Sequence, residues 1–346
     1  MALKDIKSMT LSELCADFTD SNIEKYRAKQ VYEWIKKGVS SFDEMTNISL
    51  TMREVLKRKY IFYDVQIEKK LVSRKDGTVK YLFGLFDGGF IESVLMKYKY
   101  GYCVCISTQV GCKMGCVFCA TGKDRFLRNL YPSEMISQIQ KIQNDNNIRV
   151  SRVVMMGMGE PLDNYDNSLR FLKLISSEDG LNIGMRHISL STCGVVDKIY
   201  LLAREKLQLT LSVSLHAPND ELRNKIMPIN RKWSIGDIIK ACRYYAENTG
   251  RRISFEYAMI DGLNDKKENA LELSRLLKGI LCHVNLIPVN SIDESSFKKS
   301  TTNKIREFCD VLIDNGVNTT IRRTLGPDIN ASCGQLRQKI MVEKEQ

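Results

Sequence analysis

A chain of 346 residues has room for about two ordinary domains of ~150 residues, or for one large α/β barrel with an appendage. With 43% hydrophobic and 27% charged residues, 21 Gly and 6 Pro, it is neither disordered nor collagen-like, and it buries a core. The net charge of +11 suits a polyanionic partner, nucleic acid or an anionic membrane surface, without choosing between them.

The opening MALKDIKSMTLSEL carries charges where a signal peptide needs an apolar stretch. No apolar run approaches the roughly 20 residues that span a bilayer, so a cytoplasmic protein without a membrane partner is expected. From about Leu11 to Lys59, Leu11, Leu14, Phe18 and then Tyr26, Val31, Trp34 and Ile35 recur at helical spacing among charges. This predicts a small helical domain over residues 1–60. Next come QIEKKLVS, TVKYLFGLF and FIESVLMK, separated by Asp76-Gly77 and Asp87-Gly88-Gly89, which favour tight hairpin turns. An antiparallel β-meander extension is expected over 61–100.

After Tyr102, the β-rich runs YCVCIST, RVVMMGM, RHISLST, LTLSVSL, ISFEYAMI and HVNLIPV alternate with amphipathic stretches, and NTTIRRTL is a last strand-like run. Six strands with intervening helices predict an α/β core over 101–333, either an open parallel sheet or a (β/α) barrel or part-barrel, with a tail over 334–346. Several strands end in small or polar groups: Gly157 to Glu160, Ser191-Thr192, Ser214 to His216, and Asn290. Any one of these fits an ordinary turn. Together they predict one mouth, because parallel α/β folds gather ligand chemistry at strand carboxyl ends.

Eleven cysteines, an odd number in a long chain, argue for metal or thiol chemistry and against a disulfide framework. Only His187, His216 and His283 are available, so a metal would be held by sulfur. Gly111-Cys112-Lys113-Met114-Gly115-Cys116-Val117-Phe118-Cys119 places three thiols at CxxxCxxC spacing on a loop just after the first core strand. Three thiolates suit a 4Fe-4S cluster whose fourth iron has no protein ligand; the competing reading is a structural zinc site completed by Cys103 or Cys105.

This motif resembles the radical S-adenosylmethionine (SAM) enzymes. GCKMGCVFCATG, MGMGEPLDNYDN, RHISLSTCGVV, LSVSLHAPNDELRNKIMPIN and DINASCGQL extend the resemblance, over most of the chain, to the bacterial 23S rRNA adenine-C2 methyltransferases that also act on tRNA. The resemblance implies a radical SAM (β/α)6 partial barrel, one 4Fe-4S cluster on Cys112, Cys116 and Cys119, and two SAM per turnover. It places Gly159, Glu160, Ser191, Ser214, Leu215, His216 and Asn290 against SAM. It makes Cys333 a methyl carrier, Cys105 the thiol that releases the adduct through a disulfide, and Glu92 a candidate proton acceptor, a strand-edge salt bridge being the alternative. The expected partners are 23S rRNA, tRNA and an electron donor such as flavodoxin. A related branch methylates C8 of the same rRNA adenosine; Glu160-Pro161-Leu162 sides with C2. Phosphate-binding candidates are Lys97/Lys99, Lys123/Arg125/Arg128, Arg223/Lys225, Arg231/Lys232 and Arg322/Arg323. Cys103, Cys193, Cys242, Cys282 and Cys309 are expected to be buried and inert, Cys193 being a spare thiol if it lies near the mouth.

Overall fold

The computed structural model describes residues 3–290 and 297–336. A two-residue strand β1 (Lys4–Asp5) precedes three helices, α1 (Leu11–Asp20), α2 (Lys25–Lys37) and α3 (Leu50–Lys59). Thr10 and Glu13 close a capping box on α1, and Gly38 ends α2 at a left-handed φ of 83°. Leu14, Phe18, Val31 and Ile35, read from helical spacing, join Leu56 in a core distinct from that of the remaining chain. β2 (Tyr60–Ile61) pairs with β1. Lys7, fully buried, anchors this unit by donating to Ser137 at 3.0 Å and to Asp64 at 3.2 Å.

Strands β3 (Gln66–Val72), β4 (Val79–Gly84), β5 (Phe90–Tyr98) and β6 (Gly101–Cys105) make the expected antiparallel meander. It is not a separate layer. Local turn signals fix hairpins but not which edge takes a distant neighbour, and here the free edge of β6 pairs in parallel with β9, so meander and core share one sheet. The short pair β7 (Gln109–Val110) and β8 (Arg128–Asn129) brackets the cysteine loop.

The core then alternates: α4 (Pro132–Asn146), β9 (Val150–Met155), α5 (Tyr165–Ser176), β10 (Ile188–Thr192), α6 (Val196–Arg204), β11 (Thr210–Ser214), α7 (Asp220–Ile226) and α8 (Ile235–Thr249). It continues with β12 (Ile253–Met259), α9 (Lys267–Leu277), β13 (Cys282–Pro288), α10 (Thr302–Asp314) and β14 (Thr319–Ile321). The ten strands lie in the order β14-β13-β12-β11-β10-β9-β6-β5-β4-β3, parallel from β14 to β6. Every residue of β12 is buried, as befits an inner strand covered on both faces.

The outermost strands β3 and β14 do not pair, so the sheet is open. The segment after β14 crosses back to the meander. The Gly326 amide donates to Asp76 at 2.9 Å, the Ser73 hydroxyl to Asp328 at 2.7 Å, and Lys80 to the Asn330 carbonyl at 3.4 Å. Residues 337–346, the end of the expected tail, lie outside the described residues. No helix among the described residues is long and apolar enough to cross a membrane.

Candidate active site

The carboxyl ends of the parallel strands surround a cavity of ≈ 170 Å³. Cys112, Cys116 and Cys119 line one wall. Their loop is held tightly: Gly111 has φ +75°, and a Cβ there would lie 2.1 Å from the Arg125 carbonyl oxygen, so only glycine fits. The Val117 amide donates to Ile226 at 3.1 Å, tying the loop to α7. Burial pushes the Cys112 thiol up to about 12 and raises Cys116 and Cys119 as well. Bare thiolates are therefore disfavoured, and a cationic metal centre is the chemistry that would hold these three sulfurs deprotonated.

Gly159, Glu160, Ser191, Ser214 and His216 all face this cavity, so the strand ends converge as their recurrence predicts. Gly159 has φ +100°, and a Cβ would meet the Gln109 amide nitrogen at 2.7 Å. The Glu160 carboxylate, 4% exposed, accepts from the Leu162 amide at 3.0 Å and from the Cys193 amide at 2.7 Å, linking the ends of β9 and β10. Burial raises its pKa, and those amides counter the shift. The His216 ring accepts at Nδ1 from the Ala258 amide at 2.9 Å, and burial lowers its pKa to about 3. The imidazole is thus a neutral structural acceptor rather than a proton carrier. Leu215 is fully buried and is not among the residues that line the cavity; its amide donates to the Glu256 carbonyl at 3.1 Å.

The crossing segment delivers Cys333 to the same cavity, and Asn290 Nδ2 donates to the Cys333 carbonyl at 3.1 Å. The Ala120 amide, next to Cys119, donates to the Gly334 carbonyl at 2.8 Å, so the Cys333 loop and the cysteine loop are stitched together. Cys105 lies buried at the end of β6 outside that lining; burial raises its thiol, with Cys333 the next cause, which places the two sulfurs within electrostatic reach. Glu92 is also outside the lining and pairs with Lys80 at 2.9 Å, so the salt bridge weighed from sequence is present. That same Lys80 holds the Asn330 carbonyl, coupling Glu92 to the Cys333 loop.

Two lining residues escape the sequence reading. Arg322, expected on a phosphate-binding rim, instead lines the cavity with Nη1 3.7 Å from Glu256 Oε2, and the Cys333 thiol is the first cause raising its pKa. Glu256, 3% exposed on β12, accepts through Oε1 from Ser254 at 3.0 Å and Asn285 at 3.1 Å. Arg223 is likewise no rim residue. It is fully buried, donating to the carbonyls of Leu215 at 3.1 Å, Ser214 at 3.2 Å and Cys193 at 2.5 Å. Cys193 is buried and lines the cavity, the position in which the sequence reading makes it a spare thiol.

Residues 106–274 match the family model "Radical SAM superfamily", and residues 4–61 match "Ribosomal RNA large subunit methyltransferase N-terminal domain". The chain is 53% identical over 335 residues to a probable dual-specificity RNA methyltransferase RlmN of Alkaliphilus oremlandii, covering 97% of this chain and 98% of the relative. A counterpart from Clostridium novyi is 54% identical over 97% and 98% of the two chains. The chain belongs to the RlmN family of radical SAM methyltransferases. A crystal structure of a radical SAM methyltransferase from Sphaerobacter thermophilus superposes with a TM-score of 0.93 at 41% identity, covering 97% of this chain and all of that one.

An RlmN-family chain is an iron-sulfur and SAM enzyme, and the residues here fit both groups. A structural zinc site would need Cys103 or Cys105 as its fourth ligand, and neither is among the residues that line the cavity with Cys112, Cys116 and Cys119. Three thiols lining one cavity suit a cluster that keeps one iron free of protein ligands.

Proposed function

We propose that the protein methylates C2 of an adenosine in 23S rRNA, and of the adenosine following the anticodon in tRNA, with Cys333 carrying the methyl group. The observation that supports this most is the placement of Cys333 in the cavity lined by Cys112, Cys116 and Cys119. When bound, the cluster and SAM supply an electrophilic methyl group and a hydrogen-abstracting carbon radical.

The chain's residues do the rest. Cys112, Cys116 and Cys119 hold the cluster, while Gly159, Glu160, Ser191, Ser214, Leu215, His216 and Asn290 position SAM. The Cys333 thiolate attacks the methyl carbon of one SAM, releasing S-adenosylhomocysteine, and the S-methyl group would then give up a hydrogen atom to the carbon radical derived from a second SAM, so two SAM are spent per turnover. The methylene carbon bonds to C2 of adenine, joining RNA to Cys333. Loss of the C2 proton, to Glu92 or Cys105, and of one electron, which the bound cluster that spent one in cleaving SAM would take back, restores the aromatic ring. A thiolate at Cys105 then attacks the Cys333 sulfur: the S–C bond breaks, an S–S bond forms, and the released carbon is protonated to methyl. Arg322, beside Cys333 and held toward Glu256, keeps the carrier sulfur facing the cavity.

The C8 alternative is not favoured, because the relatives at 50–54% identity are dual-specificity RNA methyltransferases. We further propose a cytoplasmic location, a flavodoxin-like electron donor, and a division into residues 1–60, 61–100, 101–333 and 334–346. Chromatography of nuclease-digested rRNA and tRNA after anaerobic turnover tests the activity. 2-Methyladenosine is expected; 8-methyladenosine as the major product refutes it.

A further inference from the structure

Away from the cavity, Tyr63, Phe86 and Tyr131 come from three separate segments and meet at the surface. Tyr63 stacks on Tyr131 with ring centroids 4.5 Å apart at 14°, and Phe86 packs 4.7 Å from Tyr63. The Arg128 guanidinium lies 4.9 Å from the Phe86 centroid and 5.6 Å from that of Tyr131. Phe86 is 56% and Tyr131 37% exposed, so the stack stands at the surface instead of filling a core.

We propose that this stack is a base-stacking platform that holds an unpaired nucleotide of the RNA substrate beside the cysteine loop. The inference rests on the RNA methyltransferase reading and deepens it. Arg128 stands opposite Val110 in the β7–β8 register, two residues before Cys112, so the platform adjoins the strand pair that brackets the cysteine loop. A Cβ at Gly89 would lie 3.3 Å from Val110 Cγ1, which shows how closely the turn carrying Phe86 packs on the same strand.

Charge decides what the platform takes. Arg128 bonds to Asp87 and, at 2.7 Å, to Glu134, two carboxylates that fix the guanidinium plane and more than offset its charge. The patch therefore offers stacking faces more than net charge, which suits a base and not an acidic protein. Besides Arg128, residues 111–131 hold Lys113, Lys123 and Arg125 against one Asp, and Lys123 and Arg125 are exposed, so backbone phosphates are met at the edges. Stacking of this kind needs no hydrogen-bond readout, which fits an enzyme that accepts two different RNAs.

The test uses full-length protein, oxygen-free, with a transcribed tRNA anticodon stem-loop as the probe. Phe86→Leu and Tyr131→Leu, which keep apolar bulk but remove the ring, are expected to weaken binding by about fivefold or more each, while Phe86→Tyr stays within about twofold. SAM cleavage without RNA is expected to be unchanged, which shows that the variants are folded. A 2-aminopurine flanking the target adenosine is expected to be quenched by the wild type and not by Phe86→Leu. Equal RNA affinity in both Leu variants overturns the platform. So does intact RNA affinity with slowed reductant-driven SAM cleavage, which instead assigns the patch to an electron donor. A wild type that does not bind the stem-loop overturns the RNA reading itself, and the platform with it.

Discussion

Replacing Arg223 with Met removes one buried cation and leaves four acceptors without their donor: the carbonyls of Cys193, Ser214 and Leu215, and the Asn230 side-chain oxygen. An orphaned buried acceptor costs about 1–3 kcal/mol, and carbonyls with a second lone pair fall at the low end, so the gross loss is about 4 kcal/mol. Against this, burial lowers the Arg223 pKa, which records the cost of keeping a guanidinium out of water. Removing that cost returns roughly 1–2 kcal/mol, leaving a net destabilisation of about 2–3 kcal/mol. Urea unfolding followed by tryptophan fluorescence, oxygen-free and at constant m, measures it. The exposed Arg231→Met is the control and is expected to stay within about 0.5 kcal/mol. SAM affinity falls with Arg223→Met as well, because the same carbonyls terminate β10 and β11 at the cavity. A loss below about 1 kcal/mol refutes the view that this side chain organises the strand ends.

Cys112→Ala, Cys116→Ala and Cys119→Ala combined are expected to abolish both the brown colour and SAM cleavage, read by visible absorption and product chromatography. Cys105→Ala is expected to accumulate a protein–RNA cross-link on denaturing gels, whereas Cys333→Ala gives none. Arg322→Met is expected to slow methylation of Cys333 by more than about tenfold while leaving SAM cleavage in place, read by peptide mass. His216 has a pKa lowered from 6.5 to about 3, so its stabilising contribution is present above pH 6.5 and is lost as pH falls toward 3. Unfolding free energy measured across that window is expected to drop less in His216→Gln than in the wild type.

Much of this architecture is legible before any coordinates. Runs such as VSRVVM and ISFEYAM are rich in β-formers and bounded by turn residues, and they form β9 and β12. The cysteine spacing and the polar strand ends mark the mouth because both are local signals. Arg223 and Arg322 were not legible, since an arginine in sequence reads as solvated and only the fold turns it inward. Glu256 sits mid-strand among apolar residues, where nothing local says which face it takes. The union of meander and core in one sheet also escapes, because the β6–β9 pairing joins Cys103 to Arg152 across a helix, beyond the reach of turn chemistry.

The passage of the methyl group through Cys333 is tested most directly by isotope. Protein methylated at Cys333 with trideuteromethyl SAM is freed of excess label, then given RNA and unlabelled SAM for a single anaerobic turnover. One deuterium leaves to the radical and one proton returns on release, so the first 2-methyladenosine carries two deuterium atoms. A product with three deuterium atoms, or with none, contradicts transfer through the S-methyl group of Cys333.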